Sequence, residues 1–397
     1  MKININKLFS AGLAAALLLS CAVCSSNDTE TVSVSSEVSS ALDETHSSVG
    51  SKSTAKAPDK DKCQKALNKI ITDHGFEGVI LISKDGEEIC SSASGTLSSD
   101  YGSDGISIES QFCIASISKQ IAATAVMQLQ ESGKLSVDDT LDKYFPEYRI
   151  GKDITIKNLL TMRSGIVDFY YVENEDGTTS SLDKENLPFE IYAQSDAYDN
   201  KLAIKEWLFN QPLNFEPDTN YEYSNSNYLI LAEIVEQVSE TDYHTYLKEN
   251  ILDPLGMEHT SFISDIKNSP VFAKSTGDPG VIAYPGVTEG AADIVSTAED
   301  IDKWLTAFRT KTILSQASYD EMTANYSPEN EQTGYGYGVM IGAGGGVMHP
   351  GSMLSYVSFA YTSPKTGFNV FFVTNDSDKM IGDWTEMFAE IRTEILR

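Results

Sequence analysis

The chain has 397 residues, 41% of them apolar and 22% charged, with a formal net charge of -29. That is enough for a real core in one large domain or two ordinary ones. The strongly negative balance argues against nucleic-acid binding, which needs a basic footprint, and is of the kind that keeps a protein soluble.

Residues 1–24, MKININKLFSAGLAAALLLSCAVC, read as a signal peptide. Lys2 and Lys7 supply the positive start, and the apolar run 8–19 is too short to span a bilayer as a mature helix. Leu18-Leu19-Ser20-Cys21 resembles a bacterial lipobox, in which Cys21 is lipidated and becomes the new N-terminus. Leu19 is not the favoured residue at its place, so simple cleavage after Ala22 or Cys24 is the alternative. Residues 25–62 are rich in Ser and Thr, poor in aromatics and without helical period, and read as a flexible tether. The expected organisation is therefore leader, tether and a folded domain over 63–397, with the membrane reached through a lipid anchor and the folded part outside the cytoplasm.

Within the domain, 62–74 reads as a helix and 78–83 as a strand. Lys84-Asp85-Gly86 makes a hairpin turn, and 88–93 is the returning strand. A long helix covers 117–132, closed by Gly133, and further helices are expected over 156–161 and 228–238. Ser296-Thr297-Ala298-Glu299 has the capping-box pattern ahead of a helix over 299–308. Strands follow at 335–341, 354–362 and 369–374, with Pro364 to Gly367 as the last turn, and a helix over 384–396 closes the chain. Strands at both ends and helices between them imply an α+β fold. An antiparallel β-sheet is flanked by helices and carries an inserted, mostly helical subdomain, roughly 120–290. Residues 171–200 are acidic and polar and read as an irregular surface loop. Its acids do not make a calcium loop, because Val172 stands at the first ligand place. Outside the leader, Cys63, Cys90 and Cys113 remain; a Cys63–Cys90 bridge is open, and Cys113 reads as a buried small residue.

Ser116-Ile117-Ser118-Lys119 sets two hydroxyls and one amine at a helix start. Residues three apart share a helix face, so Lys119 faces Ser116 while Ser118 points elsewhere. A serine hydroxyl is a poor nucleophile until a base takes its proton, and a lysine whose pKa is lowered can be that base. Ser116 is therefore the candidate nucleophile and Lys119 its base or proton relay. Tyr223 and Asn225, two apart in YEYSNSN, could point the same way; a phenol can take part in acid–base transfer and an amide can hold a carbonyl or the lysine. His349-Pro350-Gly351-Ser352 is the third stretch. His349 could contact a carboxylate or assist proton transfer, and Gly351 would let a substrate approach the backbone. The Ser352 N–H could pair with that of Ser116 as an oxyanion hole. The histidines show no zinc-ligand spacing, so no metal or other cofactor is expected.

Ser-x-x-Lys, then Tyr-x-Asn, then His-x-Gly resembles the signature of the penicillin-recognising serine hydrolases, the branch holding class C β-lactamases, D-alanyl-D-alanine carboxypeptidases and related esterases. Blocks such as FCIASISKQIAATAVMQLQESGKL, ITIKNLLTMRSGIVDF, ILDPLGMEHTSF and GAADIVSTAEDIDKWLTAF are similar to family blocks as well. The resemblance implies a β-lactamase/transpeptidase-like fold. It implies Ser116 as the acylated serine, Lys119 as its partner, Tyr223 as general base and acid, and Asn225 as the carbonyl-holding amide. It places His349 and Gly351 in the third motif and the second oxyanion N–H at Ser352. The implied substrate is a small molecule or a peptidoglycan-derived peptide: a D-amino-acid peptide, as for a carboxypeptidase, or an ester. A class C-type β-lactamase, and a penicillin-sensing or cell-wall binding module, are the alternatives. Three departures stand out: Asp218 where the family usually has glycine, His349 where classical β-lactamases of this branch have lysine, and Pro350 where many members have a small polar residue.

Overall fold

The computed structural model describes residues 58–97, 105–173, 179–181, 188–193, 195–265, 272–275, 284–327, 333–342, 344–380 and 384–396. The leader with Cys21, and the tether up to residue 57, lie outside the described residues. Helix α1 (Lys60–Asp73) starts at Asp59, whose carboxylate accepts the Lys62 N–H at 3.2 Å. Strands β1 (Gly78–Lys84) and β2 (Glu87–Ser94) form a hairpin through Asp85 and Gly86, with φ of 52° and 80°. β3 (Phe112–Cys113) leads through a single 3-10 turn, Ala115–Ile117, into helix α2 (Ser118–Glu131). The middle of the chain holds α3 (Ile156–Leu160), the small hairpin β4 (Tyr171–Glu173) and β5 (Thr179–Ser181), then α4 (Ala197–Leu208), α5 (Asn225–Ser239) and α6 (Tyr243–Leu247). β6 (Ser261–Phe262) and β7 (Ile294–Ser296) join β3 in a second sheet with β7 central. Helices α7 (Ala298–Thr310) and α8 (Gln316–Met322) follow. The chain then returns to β8 (Thr333–Tyr335), β9 (Met340–Gly342), β10 (Val347–Met353), β11 (Tyr356–Thr362) and β12 (Phe368–Thr374), and ends in α9 (Trp384–Glu394).

The main sheet has the order β2-β1-β12-β11-β10-β9-β8, with antiparallel pairing throughout. It is built from both ends of the chain, since Val79 of β1 pairs with Val373 of β12. Both faces are covered. Phe372 of β12 stacks on Phe359 of β11, which packs on Trp384 and Phe388 of α9. Asn369, three residues earlier and so on the other face, donates to Asp302 and Thr306 of α7 at 2.8 Å each. Burial on two faces explains why FNVFFVT is apolar almost without alternation and wholly buried.

Several expectations shift. The segment 171–200 is not irregular throughout: it contains β4, β5 and the start of α4, whose N-cap is Asp196 accepting from Asp199 N at 2.9 Å. The cap of α7 is Thr297 rather than Ser296, with its hydroxyl accepting from Asp300 N. The strand expected from 354 begins at Tyr356, because Leu354 and Ser355 are the turn between β10 and β11; Leu354 takes a φ of 57° there. β10, which lies outside the strands expected from the sequence, is seven residues long and carries the whole third motif. Cys63 and Cys90 are buried free thiols rather than a bridge, as is Cys113. Burial pushes the Cys90 and Cys113 thiols up to about 12, so neither is a ready thiolate.

Candidate active site

The nucleophile turn is fastened on two sides. Ile114 N donates to Ile294 O at 3.0 Å, and Ser358 Oγ of β11 donates to Ile114 O at 2.8 Å. Ala115 then takes the left-handed region, φ 49°, which costs a non-glycine residue energy and persists only where surrounding bonds hold it. Ser116 follows, partly exposed. Its N–H lies in the first turn of the 3-10 helix, ahead of any intrahelical bonding. Ser118 is fully buried, and its hydroxyl accepts the Ile294 N–H at 3.2 Å. Of the two serines, Ser118 ties the helix to β7 and Ser116 is the hydroxyl a substrate can reach.

Lys119 is fully buried. Its Nζ lies 3.2 Å from Ser116 Oγ, 2.8 Å from Asn225 Oδ1 and 2.9 Å from Ala291 O, one contact for each ammonium proton. Burial pulls the Lys119 amine down to about 7, against the opposing pull of Asp168 and Asp293. Near neutral pH a large share is therefore free amine, able to accept the Ser116 proton. The Tyr223 ring lies 4.9 Å from Nζ and the Tyr228 ring 5.6 Å, so the cation faces two aromatic surfaces when it forms.

Asn225 is the first residue of α5. The Asp168 carboxylate accepts from both Asn225 N and Asn225 Nδ2 at 2.9 Å each, doing the capping that Ser224 does not do. Because Nδ2 donates to a carboxylate, Oδ1 is turned to Lys119. One Nδ2 proton remains for a substrate carbonyl.

β10 brings the third motif alongside. Gly351 fits because a Cβ there would lie 2.3 Å from Ser358 Oγ and 2.5 Å from Ile114 O. The glycine admits the nucleophile's own turn, a different use from the substrate approach expected of it. β9 pairs with β10 only at Val347 and Met348, which leaves 349–353 open on that side. Pro350 has no N–H and faces Phe359 of β11, so the proline belongs where the ladder needs no donor towards β11. Ser352, two residues on, shares that direction and aims its N–H at the open side. His349 is buried, with Nδ1 2.6 Å from Pro350 O and Nε2 3.4 Å from Tyr335 Oη. A carbonyl only accepts, so Nδ1 carries the proton and Nε2 is the acceptor. Burial, with the Lys119 charge adding to it, lowers the His349 imidazole to about 3. It is neutral, so it brings no positive charge to the site.

Ser116, Lys119, Tyr223, Asn225, His349, Gly351 and Ser352 thus come from three separate segments: the 3-10 turn with α2, the stretch that runs into α5, and β10. The departure at Asp218 is absorbed locally: it adopts φ 66°, and Arg163 bonds its carboxylate and its carbonyl at 2.8 Å each. Sequence reading missed Asp168, Asp293 and Tyr335. Asp168 stood inside a quoted family block, and its unbroken pairing with Asn225 N–H groups has no spacing signal. Among the described residues no cluster of His, Cys, Asp and Glu could hold a metal ion.

The family described as Beta-lactamase matches residues 61–388. The chain is 31% identical over 290 residues to a putative penicillin-binding protein, PbpX, of Bacillus subtilis, covering 72% of this chain and 66% of that protein. It therefore spans just under two thirds of that relative's length. Among solved structures, D-amino acid amidase from Ochrobactrum anthropi SV3 is similar with a TM-score of 0.67 and 22% identity, over 84% of this chain and 98% of that one. EstCE1, a hydrolase with promiscuous acyltransferase activity, is similar with a TM-score of 0.69 and 20% identity, over 85% and 99%. Identities this low speak for the fold alone. The match to the family over most of the chain and the relative at 31% identity say more: this chain belongs to the β-lactamase family of serine hydrolases.

Proposed function

We propose that the protein is an extracytoplasmic hydrolase that forms an acyl-enzyme at Ser116 and acts on small amides or esters lacking a free carboxylate beside the scissile bond, D-amino-acid derivatives among them. The observation that carries this is the fully buried Lys119 amine 3.2 Å from Ser116 Oγ, with burial drawing its pKa down towards neutral. Neutral Lys119 takes the Ser116 proton, and Oγ bonds to the carbonyl carbon. The oxyanion sits between the N–H groups of Ser116 and Ser352. Collapse expels the amine or alcohol, which leaves with the proton from Lys119, handed on by Tyr223 where the leaving atom is out of the lysine's reach. Water then attacks the ester and gives a proton to Lys119, which passes it to Ser116 Oγ as the Oγ–acyl bond breaks and the acid leaves.

Neutral His349 disfavours both a D-alanyl-D-alanine carboxypeptidase and a class C-type β-lactamase, whose substrates carry a carboxylate next to the bond that breaks. The intact Ser116–Lys119 pair disfavours a binding or sensing module. The D-amino acid amidase and the hydrolase with acyltransferase activity support the amide and ester reading as analogies of fold. Purified protein, offered a D-amino-acid amide, a short-chain chromogenic ester, a D-alanyl-D-alanine peptide and a penicillin, is expected to turn over the first two fastest. A carboxypeptidase rate above both would sink the substrate assignment. Export and anchoring rest on residues 1–24. Cells fed a clickable fatty acid are expected to label the wild type and not Cys21→Ser; equal labelling would exclude Cys21.

A further inference from the structure

Behind Lys119 lies a buried group of charges that the reaction above does not use. Asp293 is 3% exposed and sits in the stretch that grips the nucleophile helix. Ala291 O accepts from Lys119 Nζ, Ala292 O accepts from Cys113 Sγ at 3.5 Å, and Ile294 N donates to Ser118 Oγ. Asp293 Oδ2 lies 2.6 Å from His244 Nε2 of α6, while Oδ1 is buried with no hydrogen-bond partner. An orphaned carboxylate oxygen is costly inside a protein, and such groups call for an explanation. His244 is stacked on Phe262, ring centroids 3.7 Å apart, and keeps 20% of its side chain exposed, so it can exchange protons with solvent.

We propose that Asp293 and His244 form a charge pair that sets how readily Lys119 gives up its proton, making both of them positioning residues for the acylation of Ser116. The inference rests on Lys119 as the base. The Asp293 charge holds the proton on Lys119, and His244, when protonated, cancels part of that charge. Burial works against a protonated His244, but the Asp293 hydrogen bond and the charges of Asp293, Glu289 and Asp242 outweigh it and raise the imidazole. The other charges in the neighbourhood are buried or paired, and burial pushes the Glu289 carboxyl up. Glu289 is paired with Lys201 at 2.6 Å, and Lys201 also with Glu236 at 2.8 Å. On the opposite side Lys119 faces Asp168, neutral His349 and the rings of Tyr223 and Tyr228. Tyr243 beside His244 is held far above the ordinary phenol range, by burial first, and stays neutral. His244 is thus the group in this set that meets solvent and whose charged form the surrounding acids favour.

The test uses two substitutions that push in opposite directions. Asp293→Asn removes a negative charge and is expected to move the Lys119 midpoint down by roughly one pH unit. His244→Gln keeps a donor to Asp293 but removes the positive charge, and is expected to move it up. The double variant should follow Asp293→Asn, since His244 loses the main support of its charged form once the Asp293 carboxylate is gone. Lys119 is titrated directly by carbon NMR of the purified protein labelled at lysine Cε, its signal assigned by its loss in Lys119→Arg; the acid limb of kcat/KM is followed in parallel. Near-UV circular dichroism checks the fold, and should Asp293→Asn fail to fold, the upward movement required of His244→Gln still decides the matter. Midpoints that do not move, or that move the same way in both variants, would overturn the proposal. The NMR titration reads the pair even if Ser116 is not the nucleophile, whereas the loss of acylation in wild type at every pH would count against the reaction and not against the pair.

Discussion

Lys119 Nζ and Asn225 Oδ1 lie 2.8 Å apart although 106 residues separate them in the chain. This bond joins the nucleophile helix to the helical insertion, and it exists because Asp168 turns the Asn225 amide so that its oxygen faces the lysine. The reactive amine is therefore aimed, through Asn225, by the Asp168 carboxylate.

Replacing Asp168 with Asn should loosen that arrangement. The N-terminus of α5 loses a charged acceptor bonded to two donors, a loss of about 1–3 kcal/mol. Thermal unfolding is expected to fall by several degrees. The kcat for ester hydrolysis should drop at least tenfold, with a smaller change in KM, since the defect lies in the reacting groups. Unchanged kcat would show that Asn225 is held by other means.

Lys119→Arg keeps the positive charge but cannot deprotonate at working pH. Ester kcat/KM should fall by about 10²–10⁴, the usual contribution of a positioned base. In the wild type kcat/KM should fall roughly tenfold per pH unit below a midpoint near 7, where the amine becomes ammonium. A flat profile between pH 5 and 7 would exclude Lys119 as the base.

His349 makes stability depend on pH in acid. Its folded pKa is about 3 against 6.5 when free, so between those values the unfolded chain binds the extra proton. Stability then rises with pH across that window, by about 1.4 kcal/mol per pH unit from this residue, and is lost as pH falls through it. His349→Asn, which keeps a donor near the Nδ1 position, should flatten the slope between pH 4 and 6 in urea unfolding. An equal slope in both proteins would place the acid sensitivity elsewhere.

Gly351→Ala tests how closely β10 must approach the nucleophile. The added Cβ would meet Ser358 Oγ and the Ile114 carbonyl, and the carbonyl has nowhere to go because Ile114 N is tied to Ile294. A cost of about 1–3 kcal/mol in stability is expected, with a loss of acylation well beyond what that cost explains. Normal acylation would mean that the turn at Ala115 relaxes freely.

Much of this was legible beforehand for physical reasons that act locally. The three-residue spacing of Ser116 and Lys119 needs only a helix turn to bring them together, and the hairpin at Asp85 and Gly86 needs only residues that accept positive φ. The strands at both chain ends showed their apolar runs, although their pairing is long-range. The illegible parts depend on tertiary contact. Helix α4 hides in an acidic stretch because its stability comes from buried Ile204 and Leu208 rather than from a strong apolar stripe. Asp168 and Asp293 are single carboxylates whose meaning appears only once α5 and β7 are in place. His349 looked like a titrating group in sequence, and becomes a neutral one only through burial, with the Lys119 charge adding to it and the bond to Pro350 working the other way.

The most direct test is the intact mass of the purified protein after brief exposure to an activated ester of a D-amino acid, wild type beside Ser116→Ala. The wild type is expected to gain the mass of one acyl group, mapped to the peptide holding Ser116, and to lose it again as water completes the cycle, while the variant stays unmodified. An adduct of equal yield in Ser116→Ala, or one on any other residue, would contradict Ser116 as the nucleophile and with it the role given to Lys119.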